Sequence, residues 1–280
     1  MAFSVNTNAG ALFALQNLNS TNSSLDTVQN RINTGLKVAS AKDNAAVFAI
    51  AQGQRADLAG LESVKSSLDR ATSAVDVALA AAEAVSDLLI QLKEKATAAT
   101  DPGADADART ALNDEFQNLL SQIDTVVNNA EFNGVNAVKT GGANIQALVA
   151  LPTGSNTAGD YSITVTATDI SASNGLDLTS GLAITTAGGA SGALAKITAA
   201  ESTLNTFLSK LGAGAKRVEI QRTFTNKLSD QIEVGIGNLV DADLARESAN
   251  LQSLQVKQQL GLQALSIANQ APGTVLSLFR

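Results

Sequence analysis

Apolar residues recur every seven positions along two long stretches of this chain, and that period limits the possible folds more than any other feature. Leu61, Leu68, Val75, Ala82, Leu89 and Ala96 form one such row. Val64, Ala71, Ala78, Val85 and Leu92 form a companion row offset by three. Rows spaced in this way are the a and d seams of helices that pack side by side along their length. Asp101-Pro102-Gly103 ends the helix, because proline lacks the N–H and glycine favours non-helical backbone. A second helix is expected over Leu112, Phe116, Leu119, Ile123 and Val126.

The same period returns late in the chain at Ile197, Leu204, Leu211, Val218, Thr225, Ile232 and Leu239. A strict seven-residue repeat drifts by about 20° per heptad against a straight helix, which predicts left-handed supercoiling. Helices this long need partners along their whole length. Gly212 and Gly214 interrupt the row and predict close packing or a kink.

The two ends carry shorter versions of the pattern. Leu18, Leu25, Val28, Ile32 and Leu36 line one face near the start. Val240, Leu244, Leu251, Leu254, Leu262 and Leu265 are read as one face near the finish. Between Leu251 and Leu265 the only charged residue is Lys257, and glutamines fill much of the rest. A helix so poor in charge tolerates burial on several sides. The plainer alternative is a pair of core helices in one bundle. Asn22-Ser23-Ser24 matches a glycosylation sequon but falls inside this helical face and is read as chance.

The middle of the chain differs. Residues 141–192 are rich in Gly, Ser and Thr, and Tyr161-Ser-Ile-Thr-Val-Thr-Ala-Thr alternates as a half-buried strand does. Residues 145–151 offer a partner strand, with 152–160 as the turn. The expected fold is therefore mainly α: a long antiparallel helical rod with coiled-coil terminal helices and a β-hairpin at the outer end. Gly141-Gly142 and Gly188-Gly189 are turn glycines, since no strand, lysine and helix follow them as a phosphate loop requires.

Composition narrows the chemistry. The 280 residues include no His and no Cys, which removes imidazole relays, thiolate nucleophiles and sulfur-ligated metals. The 26 acidic residues are scattered, and none of their runs has calcium-loop spacing, so no catalytic residue, cofactor or metal ligand is expected. A net charge of -7 argues against a nucleic-acid partner. No uncharged apolar run of about 20 residues is present to cross a membrane. The first residues lack the basic-then-apolar pattern of a cleaved secretory signal.

Three stretches resemble the bacterial flagellins. Thr34-Gly35-Leu36-Lys37-Val38-Ala39-Ser40-Ala41-Lys42-Asp43-Asn44-Ala45-Ala46 is similar to the family's Ser-Gly-Leu-Arg-Ile-Asn-Ser-Ala-Lys-Asp-Asp-Ala-Ala. Phe132-Asn133-Gly134-Val135 resembles the family's Phe-Asn-Gly-Val before a hairpin. The tail from Ala268 to Arg280 resembles the family ending Ala-Asn-Gln-x-Pro-x-x-Val-Leu-Ser-Leu-Leu-Arg. Asn44 and Val47 depart from the Asp and Gly of many relatives.

The resemblance implies a minimal flagellin without extra surface domains. It implies an inner core domain from residues 1–43 and 238–280. The outer core domain would then comprise helices 44–140, hairpin and loops 141–192, and helix 193–237. It implies a structural, non-enzymatic subunit that polymerises with itself for swimming motility. Its terminal seams would be disordered when free and would bury on assembly: Leu18, Leu25, Val28, Ile32, Leu36, Leu244, Leu251, Leu254, Leu262 and Leu265. The implied partners are the type III flagellar export apparatus, a flagellin chaperone, and the hook-associated junction and cap proteins. The implied location is the extracellular filament, reached by secretion. The family alternatives are a hook–filament junction protein and a metallopeptidase-bearing flagellin. The second needs a His-Glu-x-x-His motif that a chain without histidine cannot supply. Outside the family stands a coiled-coil fibre or adhesin.

Two further expectations come with the resemblance. Ile90 to Thr97 aligns with the segment that vertebrate innate receptors recognise as Gln-Arg-Val-Arg-Glu-Leu-Ala-Val. Here Gln91 replaces an arginine and Lys95 an apolar residue, beside Lys93 and Glu94. Such flagellins are often O-glycosylated on exposed hydroxyls. The candidates are Thr153, Ser155, Thr157, Ser171, Ser173, Thr179, Ser180, Thr185, Thr186 and Ser191.

Overall fold

The computed structural model describes residues 7–151, 161–179 and 182–277, with side chains through residue 270. The chain is mainly α, as the periodicity predicts. The order is α1 (Ala9–Thr34), α2 (Ala45–Ala99), α3 (Ala106–Asn129), β1 (Ile145–Leu148), β2 (Ser162–Val165), α4 (Ala187–Val240) and α5 (Leu244–Ser277). It divides into two compact units, residues 57–230 and the two ends, 1–56 with 231–280. The divisions fall inside α2 and α4.

Each helix begins on a side chain that accepts from the otherwise unpaired first-turn N–H groups. Asn8 accepts from the Ala11 N–H at 3.0 Å. Asn44 accepts from Val47 at 3.1 Å, and Asp105 from Ala108 at 2.7 Å. Thr186 accepts from Gly189 at 3.0 Å, and Asp243 from Ala245 and Arg246, both at 3.1 Å. Helix α1 stops at Gly35, whose φ of 73° is the left-handed cap that glycine adopts without steric penalty. The end of α2 at Asp101-Pro102-Gly103 is held by Arg109, which donates to the Ala99 and Asp101 carbonyls at 3.1 and 2.7 Å.

In the unit of residues 57–230, both heptad rows of α2 from Leu61 to Ala96 are buried. From Val64 onward they share one core with Ile197, Leu204, Phe207, Leu211 and Val218 of α4 and with Phe116, Leu120, Ile123 and Val127 of α3. Ion pairs Lys93–Glu201 at 2.8 Å and Arg222–Asp69 at 2.7 Å show that α2 and α4 run antiparallel here. Alanines 71, 74, 78, 81 and 82 keep that α2 face narrow. The pair Lys95–Glu115 at 2.6 Å folds α3 back beside the end of α2.

Strands β1 and β2 are antiparallel, with Ile145 opposite Val165 and Leu148 opposite Ser162. They are shorter than the alternation predicts, with one further backbone bond, from the Val149 N–H to the Tyr161 carbonyl at 2.8 Å, beyond their ends. The Leu148 N–H donates to Ser67 Oγ at 3.0 Å, and Gln221 Nε2 donates to the Val149 carbonyl at 3.1 Å. Past β2, Thr168 and Ile170 donate to the Ala137 and Val138 carbonyls, both at 2.9 Å. Two glycines admit this hairpin. A Cβ on Gly60 would lie 2.4 Å from Leu151 Cδ2, and one on Gly214 would lie 2.9 Å from Val165 Cγ2. Gly214 thus marks the close packing expected of it, whereas Gly212 faces open space. The turn expected over 152–160 lies outside the described residues.

The segment after β2 is not the solvated loop that its Ser and Thr content suggests. Ile170, Ala172, Leu176, Leu178 and Ile184 are all buried. Side chains of α3 fasten it: Asp124 accepts from Ala172 at 2.9 Å, Asn113 accepts from Ile184 at 3.0 Å, and Gln117 donates to the Leu182 carbonyl at 2.8 Å.

Candidate assembly surface

The unit formed by the chain ends is built on one seam. Helices α1 and α5 run antiparallel, shown by three polar pairings spaced along them. Asn8 Nδ2 donates to the Ala268 carbonyl at 2.6 Å, Gln258 Nε2 to Asn22 Oδ1 at 2.8 Å, and Arg31 to Glu247 at 3.2 Å. Between them Leu18, Leu25 and Val28 are buried. Ile32, Leu251, Leu254 and Leu265 are half-buried. Gly261 lets Leu18 reach the α5 backbone, 3.4 Å from where a Cβ would stand. The polar layers at Asn22–Gln258 and Arg31–Glu247 specify register, since a slipped pairing would strand them against apolar neighbours.

Two of the expected seam residues lie outside the α1–α5 pairing within the chain. Leu244 and Leu262 are exposed, at 49% and 53%. The α5 row that meets α1 runs Glu247, Leu251, Leu254, Gln258, Gly261, Leu265, Ala268. Leu262 follows Gly261 and is turned roughly 100° away from it. Leu244 sits on the first turn, beyond the end of the row. Leu36 is half-buried and outside α1, where its backbone bridges Asp241. The neighbouring Lys37 N–H donates to the Val240 carbonyl at 2.7 Å, and Ala242 to Gly35 at 2.8 Å.

The connector after α1 is pinned by Asp43. Its carboxylate accepts from the Ser40 N–H, the Ser40 hydroxyl and the Ala39 N–H at 2.9, 3.1 and 3.1 Å. The Ser40 backbone bond first, then the Ser40 hydroxyl, hold this carboxyl below its ordinary value despite slight desolvation. Asp43, Arg31, Lys37, Asp241, Arg246 and Glu247 line a cleft of about 620 Å³ between the connectors. Both charge signs mix there, and Lys37 Nζ is taken by the Asn238 carbonyl at 3.0 Å.

The heptads do not predict the outer faces of α1 and α5. Leu12, Phe13 and Leu15 on α1 are exposed, as are Val256, Leu260 and Ile267 on α5 alongside Leu262. No charged residue falls between Ala9 and Leu25. Outward apolar residues on helices this poor in charge make patches of the kind that mark interaction surfaces. The sequence signal was the absence of charge rather than any period.

The remaining candidates scatter over residues 57–230. Gln91 and Glu94 are exposed, while Lys93 donates to both Glu201 oxygens at 3.1 and 2.8 Å and Lys95 is engaged by Glu115. Hydrogen bonding to Glu115, then its charge, raises the Lys95 ammonium above its ordinary value. Of the hydroxyl candidates, Ser173, Thr179, Thr185, Thr186 and Ser191 are exposed. Ser171 is buried and corrects that expectation, because the apolar residues beside it turn this stretch inward. Thr153, Ser155, Thr157 and Ser180 lie outside the described residues. Among the described residues no three His, Cys, Asp or Glu side chains gather as metal ligands would. No helix there is long and apolar enough to cross a membrane.

Residues 5–139 match the bacterial flagellin N-terminal helical region, and residues 194–279 the bacterial flagellin C-terminal helical region. The chain is 49% identical to flagellin FljK of Caulobacter vibrioides over 99% of its length and 98% of that protein's. It is 36% identical to a flagellin of Brucella melitensis over 99% of both chains. A crystal structure of Bacillus cereus flagellin, 21% identical, covers 56% of this chain and 86% of its own with a TM-score of 0.48. Paired terminal helices with unfilled apolar faces, two family regions that leave only the hairpin stretch between them, and relatives matched end to end lead to one conclusion: the chain belongs to the bacterial flagellins, structural subunits of the flagellar filament.

Proposed function

We propose that the subunit enters the filament by burying the outer faces of α1 and α5 against neighbouring copies. The carrying observation is the pair of charge-poor helices joined by one thin seam, with Leu12, Phe13, Leu15, Val256, Leu260, Leu262 and Ile267 left facing outward. Three buried aliphatics on α1 offset little of the conformational entropy of ordering two helices. Neighbouring copies supply the remaining apolar burial, at about 25 cal/mol per Å². Assembly then completes the folding of the ends, and a head-to-tail contact repeated without closure yields a helical array. The unit of residues 57–230, with its own aliphatic core, acts as the outer core domain, and the ends act as the inner one. The role is structural, and a chain without His or Cys suits it.

Export follows from the same reading. A chain without disulfides and with ends that fold late can thread the flagellar export apparatus unfolded, escorted by a chaperone that covers the charge-poor tail. It then joins an extracellular filament bounded by junction and cap proteins. Amide hydrogen exchange tests the central claim. In the free subunit, amides of α1 and α5 exchange rapidly while those of residues 57–230 are protected. In the filament both sets are protected. Equal protection of α1 and α5 in the two states would refute assembly-coupled folding.

A further inference from the structure

The sequence holds two Asn-Gly pairs, Asn133-Gly134 and Asn174-Gly175, and the fold treats them differently. We propose that Asn133 is a site of spontaneous deamidation and isoaspartate formation, while Asn174 is protected by its surroundings. The chemistry needs the backbone nitrogen after the asparagine to reach the side-chain carbonyl carbon, Cγ. Glycine favours this, because it brings no side chain into the path of the attacking nitrogen.

At Asn133 both reacting groups are free. Asn133 and Gly134 are exposed at the tip of a tight turn, with φ of 50° and 79°. Among the described residues neither the Asn133 amide nor the Gly134 N–H has a hydrogen-bond partner. Open space surrounds Gly134, since a Cβ there would meet nothing within 4 Å. The turn is closed only by the reciprocal Phe132–Val135 backbone bonds of 2.9 and 3.0 Å. Opening them locally lets the backbone swing into the attacking geometry.

At Asn174 both reacting groups are engaged. Asn174 Nδ2 donates to Thr140 Oγ at 3.1 Å, and that hydroxyl donates to Asp169 at 2.6 Å. The Gly175 N–H, which would be the nucleophile, donates to Ser171 Oγ at 3.4 Å. Gly175 is packed so closely that a Cβ would fall 2.1 Å from the Asp169 carbonyl oxygen. Buried Leu176 and Leu178 on either side of Asp177 donate to the Ser171 and Ala172 carbonyls at 2.9 and 2.7 Å. Attack here must break bonds to the attacked amide and to the attacking nitrogen, in addition to moving the backbone.

The steps balance with water as the only co-reactant. Hydroxide takes the Gly134 N–H proton. The nitrogen bonds to Asn133 Cγ, the bond from Cγ to Nδ2 breaks, and the amide nitrogen leaves as ammonia with a proton from water. A five-membered succinimide remains. Water then opens it at either carbonyl, giving aspartate or an isoaspartate whose main chain runs through Cβ. Either product places a new carboxylate near the Glu131–Lys139 ion pair of 3.8 Å. The isoaspartate also adds a backbone atom to a turn that seats Phe132 and Val135 against the core.

The test incubates the full chain as unassembled subunit at mildly alkaline pH in heavy-oxygen water. Trypsin separates the sites, because Asn133 lies in fragment 110–139 and Asn174 in fragment 140–196. Mass spectrometry with electron-transfer fragmentation then reads label uptake and isoaspartate at each. The native chain is expected to modify Asn133 faster than Asn174 by a factor of roughly 5–30, the equivalent of one or two net hydrogen bonds. In denaturant the two rates converge, which assigns the difference to the fold. Equal rates in the native chain, a faster Asn174, or an Asn133 no faster than the asparagines outside Asn-Gly pairs would each overturn the proposal.

Discussion

Leu262→Asp separates assembly from folding, because the structure places this side chain outside the α1–α5 seam. At 53% exposure, about half of its apolar surface is still available to be covered by another subunit. In the free subunit the aspartate stays solvated, so the expected stability change is within about 0.5 kcal/mol. In the filament the lost apolar transfer is roughly 1 kcal/mol. Burying a carboxylate without a partner adds roughly 3–5 kcal/mol. The sum corresponds to a rise of about a thousandfold or more in the critical concentration for growth. The assay is sedimentation of seeded filaments across a subunit concentration series, beside thermal unfolding of the unassembled chain. Unchanged critical concentration would refute the burial of this face. A large loss of subunit stability would instead show that Leu262 serves the intrachain pair.

Three other outcomes follow. In the segment that resembles the one innate receptors recognise, Gln91 stands where the family has arginine, and Lys93 and Lys95 are held by Glu201 and Glu115, so neither stands free to replace a bidentate arginine. Monomer is expected to give weak or no activation of the innate flagellin receptor in reporter cells, and strong signalling at low dose would contradict this. Intact and peptide mass spectrometry of native filaments is expected to find any O-glycan on the exposed hydroxyls Ser173, Thr179, Thr185, Thr186 or Ser191 and none on buried Ser171. Glycans mapped before Leu36 or after Leu239 would contradict the packing of the ends. Acid is expected to loosen the connector after α1: the depressed Asp43 carboxyl contributes its stabilisation above the ordinary aspartate value of 3.8 and loses it as pH falls through the lower folded value. Exchange of the Ala39 and Ser40 amides should rise over that range in the native chain and be already fast, with no such rise, in Asp43→Asn.

The long helices were legible because their cause is periodic and local. A seven-residue apolar repeat buries one face whatever the partner is, so the rows from Leu61 to Ala96 and from Ile197 to Leu239 are legible directly; the first is buried throughout, the second through Thr225, with Ile232 and Leu239 half-buried. Helix stops at Gly35 and Asp101-Pro102-Gly103 were legible for the same reason, since backbone chemistry at those residues acts without distant neighbours. The absence of His and Cys likewise settled from composition which chemistries were closed. What the period could not supply was the choice among rows where several apolar residues compete. On α5, leucines at 244, 251, 254, 262 and 265 look equivalent, and only pairing with α1 shows that Gln258 and Gly261 belong to the seam while Leu244 and Leu262 do not. The core around Ile170, Ala172, Leu176, Leu178 and Ile184 is not legible in the sequence, because its Ser and Thr content reads as a loop. Its burial depends on carbonyl and amide groups of α3 and of residues 137–138 that satisfy the backbone from far along the chain. Local propensity is a property of neighbours in sequence, so it is written there. Which polar groups find partners, and which apolar faces are left to another molecule, depends on atoms that only the folded chain brings together.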